Sequence, residues 1–296
     1  MATVIPFDRN FEPRYGVVEP LGPGLRRIVA RNPGPFTFRG TATFIVGEGD
    51  VAVIDPGPDL AGHIPALLEG LGNETVSHIL VTHTHLDHSP AAAELKARTG
   101  APTFGYGPHG SGPGGIEAGG DPNFAPDVRI GDGDEIAGRG WRLEALHTPG
   151  HTSNHLAFAW PERSILFPGD LVMGWSTSVI SPPDGHMGDY LASLRKMLKR
   201  DEATYWPTHG GPIRDPKPFI EAFIAHRRDR EEEILACLRD GLETIPDMVP
   251  VIYADVPPAV HGAAARSLLA ALIHLVESGR VKTDGAPDEE SLYRLP

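Results

Sequence analysis

The chain has 296 residues, 40% hydrophobic and 22% charged, enough for one large globular domain or one domain with a small appendage. Lys+Arg 26 against Asp+Glu 39 leaves a net charge of −13, a field that repels nucleic-acid phosphates and excludes non-specific coating of DNA. The single cysteine, Cys237, excludes an intramolecular disulfide and a cysteine-rich zinc knuckle.

No basic region followed by an apolar core stands at the start of the sequence, and no stretch approaches the roughly 20 apolar residues that span a bilayer. The cytoplasm is therefore the expected location, with no membrane partner. Strand-like segments are expected at Leu25–Ala30, Thr41–Val46 and Val51–Ile54, the last two joined as a hairpin by Gly47-Glu48-Gly49-Asp50. Asp55-Pro56-Gly57-Pro58-Asp59 breaks that pattern. A helix follows, starting at Leu60 or near Ile64, where Pro65 would fall in its first turn, and ending near Leu71-Gly72. Its apolar face would be Ile64, Leu67, Leu68 and Leu71.

A buried strand at His78–Val81, a short helix at Pro90–Thr99 and a strand at Ala101–Tyr106 come next. From Gly107 to Asp127 glycine and proline dominate without periodicity, which reads as a long loop. Strands are then expected at Trp141–Leu146, His155–Trp160 and Ser164–Phe167, a helix at Met187–Lys199, and a short strand at Thr204–Trp206. Beyond Pro216 the pattern turns helical: Phe219–Leu238, a short segment around Pro246–Tyr253, and Ala259–Ser278 with Leu268, Leu269, Leu272, Ile273 and Val276 as its stripe. Gly279-Arg280-Val281-Lys282 opens a small hairpin, so the tail reads as winged-helix-like. Cys237 falls in a helical pattern and reads as a buried core thiol.

The densest chemistry is His83-Thr84-His85-Leu86-Asp87-His88, directly after the apolar run Ile79-Leu80-Val81. Three imidazoles and a carboxylate in one short loop offer the donors that borderline cations such as zinc prefer. Further candidates follow later strands: His151 in Thr148-Pro149-Gly150-His151, Asp170 in Phe167-Pro168-Gly169-Asp170, and His209 in Trp206-Pro207-Thr208-His209. Each sits at a strand end beside Gly or Pro, so loops along one sheet edge can bring them together. Asp55 also ends a strand, with a turn role before Pro56 as its other reading. His63, His78, His109, His147, His155, His186, His226, His261 and His274 read as surface or core-structural, with His147 and His155 nearest the candidate loops. Ser176-Thr177-Ser178 reads equally as a polar turn or a substrate contact.

This pattern resembles the metallo-β-lactamase fold superfamily of hydrolases: His83-x-His85-x-Asp87-His88, then His151, Asp170 and His209, in the family's order. The resemblance implies an α/β fold, an αβ/βα four-layer sandwich over residues 1–214, with a winged-helix-like domain over 215–296. It implies two divalent metal ions, zinc first and iron or manganese as alternatives. His83, His85 and His151 would bind one ion, Asp87, His88 and His209 the other, and Asp170 with a hydroxide would bridge them. Asp87 would orient the nucleophile, and Asp55 would hold a ligand imidazole or loop. Thr208 departs from the glycine that often precedes the last histidine, and is expected to narrow the pocket.

The tail and Pro168–Leu194 resemble the beta-lactamase-like protein 2 branch, with His226-Arg227-x-x-Arg230-Glu231 as the start of the tail. That implies phosphodiester hydrolysis of single-stranded RNA as one activity. A small-molecule substrate is the other expectation, such as the thioester of a glyoxalase II-like enzyme, although no basic cluster for glutathione's carboxylates stands out. A periplasmic β-lactamase is disfavoured. A non-hydrolytic iron oxygenase or a binding module is the reading from another class. From Asp215 onward nine basic side chains face fifteen acidic ones, a net of −6, so packing, dimerisation or a cleft wall is favoured over nucleic-acid binding.

Overall fold

The computed structural model describes residues 3–110, 119–254 and 261–296. The chain opens with β1 (Glu19–Gly22), β2 (Leu25–Val29), β3 (Ala42–Glu48) and β4 (Asp50–Ile54), then α1 (His63–Leu71), β5 (Thr75–Leu80), α2 (Ala92–Thr99), β6 (Thr103–Gly105) and β7 (Val128–Arg129). It continues with β8 (Glu135–Gly138), β9 (Trp141–His147), β10 (Leu156–Trp160), β11 (Ile165–Phe167), α3 (Met187–Met197), β12 (Thr204–Tyr205) and β13 (Ile213–Arg214). The tail holds α4 (Pro216–Arg239), α5 (Ile245–Ile252), α6 (His261–Glu277), β14 (Lys282–Thr283) and β15 (Tyr293–Arg294).

Strands β1 to β7 form one sheet in sequence order, and a second sheet runs β13-β12-β11-β10-β9-β8. Side-chain alternation assigns the layers. Phe44, Val46, Ala52 and Ile54 from the first sheet meet Leu143, Phe158, Trp160 and Phe167 from the second. Their neighbours Ile45, Val51 and Val53 point the other way and bury Ile64, Leu67 and Leu71 of α1 with Leu95 of α2. Ala157, Ala159 and Leu166 on the far face of the second sheet pack on Tyr190 and Leu194 of α3 and Phe219, Ile220 and Phe223 of α4. The outcome is the four-layer αβ/βα sandwich, whose central strands are apolar on both faces because both faces are covered.

Local chemistry explains most element ends. The β3–β4 hairpin turns at Gly49, with Glu48 opposite Asp50. α1 takes the later start, so Pro65 occupies its first turn, where its missing N–H costs nothing. His186 caps α3, its Nδ1 accepting from the Asp189 N–H at 3.2 Å. β1, β7, β8 and β13 were not expected from the sequence; each has only two to four residues, too few for a periodic signal. β6 is shorter than Ala101–Tyr106, and β5 starts earlier than His78. Residues 111–118 of the expected long loop, and the first two residues of the expected last helix, lie outside the described residues. Among the described residues no helix is long and apolar enough to cross a membrane.

Strand direction sets up one functional edge. β4 and β5 are parallel, as are β11 and β12, and β9 and β11 both lie antiparallel to β10. The loops after β4, β5, β9, β11 and β12 therefore leave on coherent ends, and they carry Asp55, the His83–His88 motif, His151, Asp170 and His209. Two backbone bonds stitch the sheets together there: the Leu156 N–H donates to Thr82 C=O (2.7 Å) and the Ala42 N–H to Thr208 C=O (2.9 Å).

α4 and α6 belong to two cores. The first half of α4 packs with the second sheet, while Ile234, Leu235, Cys237 and Leu238 join a separate core with Met248 of α5, Leu268 and Leu272 of α6 and Tyr293 of β15. Ala270 of α6 reaches back into the core that holds α3.

Candidate metal centre

All seven candidate donors converge. His83, His85 and His151 present ring nitrogens within 4.8 Å of one another, and so do the donors of Asp87, His88 and His209. His85 Nδ1 lies 3.0 Å from both His83 Nε2 and His151 Nε2. Asp170 stands between the groups: Oδ2 is 3.4 Å from His209 Nε2 and 3.7 Å from His151 Nε2, and Oδ1 is 3.7 Å from His88 Nε2. Asp87 Oδ2 closes the second group at 3.3 Å from His88 Nε2 and 3.2 Å from His209 Nε2.

The outer nitrogens decide which lone pairs face inward. His151 Nδ1 donates to Val179 C=O (2.6 Å) and His209 Nδ1 to Gly40 C=O (3.2 Å). His88 Nδ1 donates to Asp55 Oδ2 (2.9 Å). The Thr82 hydroxyl donates to that same oxygen (2.8 Å), so it accepts from His83 Nδ1 (3.0 Å). Asp55 therefore holds one histidine of each group, and it also accepts from the Thr82 N–H (2.7 Å). It does so in the left-handed region, at φ 51, a conformation that aspartate tolerates better than most non-glycine residues.

The electrostatics differ between the groups. Burial, together with the neighbouring His88, His85 and His151, pushes the His83 pKa well below its ordinary value, which keeps its lone pair available. In the second group burial opposes charge on the imidazoles, but Asp87, Asp170 and Asp55 outweigh it and raise His88 well above its ordinary value. Burial likewise opposes charge on His209, but Asp170 and Asp87 push it up to about 10. Asp87 and Asp170 move the other way: burial resists, yet His88 and His209 hold both carboxyls well below the usual range. Without a cation, protons on these histidines balance the two carboxylates.

A cation fits this set. His88 Nε2 and Asp170 Oδ1 are buried and make no hydrogen bond among the described residues. A buried polar atom left so costs about 1–3 kcal/mol, and a bound ion would satisfy both. Nitrogen and oxygen donors without sulfur match zinc, iron or manganese.

Three supporting residues, His155, Thr41 and Thr82, were not anticipated in these roles from the sequence. His155 is fully buried, pairs its Nδ1 with Thr148 Oγ1 (2.8 Å) and accepts the Asp170 N–H on Nε2 (3.1 Å), so it fixes the backbone of the central carboxylate. Burial and the nearby His151 keep it neutral, as that acceptor role requires. The Thr41 hydroxyl donates to Asp87 Oδ2 (3.0 Å). Ser178 is buried and donates to the carbonyls of Asp170 (2.5 Å) and Leu171 (2.9 Å), which settles it as a structural turn residue. Thr208 does not narrow the pocket; its hydroxyl turns inward to Asp55 (3.3 Å). Gly150, at φ 132, lets the His151 loop lie against α3, since a Cβ there would come within 2.3 Å of the Tyr190 backbone. Only proximity to the motif could have flagged Thr82, while Thr41 and His155 read as ordinary strand residues.

The donors open into a cavity of about 620 Å³, walled by Phe36, Leu86, Met173, Val179 and the Pro182-Pro183 pair. Arg266 of α6 reaches the same cavity.

A family model of the Metallo-beta-lactamase superfamily matches residues 36–209, more than half of the chain and every candidate donor. The chain belongs to the metallo-β-lactamase superfamily. A second model, the Beta-lactamase associated winged helix domain, matches residues 244–289, the segment from α5 through β14. Among curated relatives, the Beta-lactamase-like protein 2 homolog of Caenorhabditis elegans is 31% identical over 90% of this chain and 88% of its own length. An Atrochrysone carboxyl ACP thioesterase of Claviceps purpurea (strain 20.1) is 31% identical over 82% of this chain and 76% of its own. A Beta-lactamase domain protein from Burkholderia ambifaria shares the fold, with TM-score 0.81 and 20% identity over 99% of this chain and 97% of its own.

Two outcomes test the centre. Asp55→Ala is expected to weaken metal binding by about 10–100-fold, as loss of an outer hydrogen-bond partner does elsewhere; metal titration of the stripped variant at wild-type affinity would contradict this role. The charge pairing of His209 stabilises the metal-free fold fully below its ordinary pKa of 6.5 and fades as pH rises through about 10. Metal must displace that proton, so its affinity for stripped protein should climb from pH 6 towards about 10. Calorimetry in buffers of different ionisation enthalpy should detect proton release at pH 7; none would mean the histidine is already neutral.

Proposed function

We propose that this protein is a dinuclear metal-dependent hydrolase acting on acyl thioesters of small, largely apolar acids. His83, His85 and His151 would hold one ion, Asp87, His88 and His209 the other, and Asp170 would lie between them, with zinc the first choice. Bound ions would supply Lewis acidity toward a carbonyl and a lowered pKa for water.

The chain's own residues supply orientation. Asp87 keeps 24% side-chain exposure toward the cavity, and its carboxyl stays ionised at neutral pH because His88 and His209 outweigh burial. It can therefore accept a hydrogen bond from a water while Thr41 fixes its other contact. His155 and Asp55 keep the surrounding donors from rotating.

The observation that carries the substrate class is the cavity wall. Its volume of about 620 Å³ suits a small molecule, its walls beyond the donors are largely apolar, and Arg266 is the single lysine or arginine lining it among the described residues. A polyanionic RNA strand is bound through several basic contacts, which this wall does not offer. The thioesterase named in Claviceps purpurea, alike over most of both chains, supports the same class. RNA hydrolysis, which the sequence resemblance to the beta-lactamase-like protein 2 branch implies, is the competing activity.

The test is turnover of a panel holding a hexanoyl thioester, single-stranded RNA, a lactone and a β-lactam, with His85→Ala as the control. The thioester should be the best substrate, and His85→Ala should lose more than the roughly 10–100-fold typical of an outer partner. RNA cleavage without thioester turnover would replace this substrate class, and full activity in His85→Ala would reject the metal site.

A further inference from the structure

We propose that Arg266 is the recognition point for an anionic group of the substrate, a carboxylate or phosphate carried across an apolar segment from the scissile bond. The substrate class then narrows from apolar thioesters to thioesters bearing such an anion, and in this respect the inference rests on the thioester reading above.

Three observations carry it. Arg266 lines the same cavity as His85, His151, Asp170 and His209, yet it belongs to α6, far along the chain. Its side chain is exposed and forms no ion pair or hydrogen bond among the described residues. Other arginines of the tail do find acids: Arg280 pairs with Glu231 and Glu232 (2.6 Å each), and Arg230 with Glu233 (2.6 Å). In a chain with 39 acidic side chains, an arginine at an apolar wall with no partner among the described residues has its charge available to a ligand.

The helix that carries it is held firmly. Leu268 and Leu272 anchor α6 in the C-terminal core, and Ala270 seats it in the core that holds α3 and α4. The residues preceding Arg266 on this helix, Gly262-Ala263-Ala264-Ala265, are small. They leave the guanidinium as the one long side chain of that turn. Arginine's planar fork matches carboxylate and phosphate alike. The same cavity is lined by Met173, Val179 and the two prolines, and among the described residues its uncharged polar side chains are Ser181 and Thr37. A ligand that spans the cavity thus has its reacting carbonyl at the donors, its apolar part along the wall and its anion at Arg266.

Matched probes decide this. The full-length, metal-loaded protein is given N-acetylcysteamine thioesters of hexanoate and adipate, equal in length but differing by a terminal carboxylate, and hexanoyl-coenzyme A, which adds phosphate on the thiol side. The wild type should favour one of the charged esters by about tenfold or more in KM, the scale of a charge-assisted contact. Arg266→Ala should bring that ratio close to one and Arg266→Lys should retain part of it. A preference for adipate assigns the anion to the acyl side, and a preference for the coenzyme A ester assigns it to the thiol side. Equal KM for all three in the wild type, or a ratio that survives in Arg266→Ala, would overturn the proposal. The corresponding amides, in which NH replaces sulfur, are titrated by calorimetry. Their Kd ratio reads Arg266 without turnover, so a protein that hydrolyses no thioester would sink the hydrolytic reading while the amides still decide this one.

Discussion

The geometry of the site depends on the carboxylate of Asp55. It is 1% exposed, and such a burial is tolerable only when its oxygens are saturated with donors. The Thr82 N–H and O–H, the His88 imidazole and the Thr208 hydroxyl supply them. These donors come from the loops after β5 and β12, so one side chain joins the ends of strands in both sheets. Because Thr82 passes its hydrogen bond on from His83, the same carboxylate orients an imidazole in each donor group. Its left-handed backbone is the conformational cost of placing it there.

From that anchor the two groups acquire different characters. The first is three imidazoles, of which His83 is held neutral by burial and by the neighbouring His88, His85 and His151. The second mixes imidazoles with two carboxylates, which draw positive charge onto His88 and His209. Asp170 touches both, and its own backbone is held by a neutral His155. A cation-binding site and a proton-binding site are here the same arrangement, distinguished by what occupies it.

Much of this was readable in the sequence, for physical reasons. The donor residues are polar types at the ends of strongly apolar strands, and Gly or Pro beside them marks the turns. The long strands and helices carry clear periodicity, so β3, β4, β9, β10, α4 and α6 fall within a few residues of expectation. What escaped has no local signature. β7 and β13 are two residues long and exist only through their neighbours in the sheet. His155 looks like any strand residue until Asp170 is folded against it. Thr208 was expected to face the pocket, and only the fold shows that it faces Asp55. Arg266 lies 57 residues beyond the last donor, His209, and no spacing rule could bring it to the cavity.

The winged-helix segment is thus part of the site's architecture, since α4 and α6 are shared between its core and that of the sandwich. The central claim is that the seven donors form a two-metal centre. It is tested most directly by elemental analysis of the purified protein beside His88→Ala and His151→Ala. About two ions per chain in the wild type, and about one in each variant, is the result this account requires. No bound metal in a folded wild type, or an equal count in all three proteins, would contradict it.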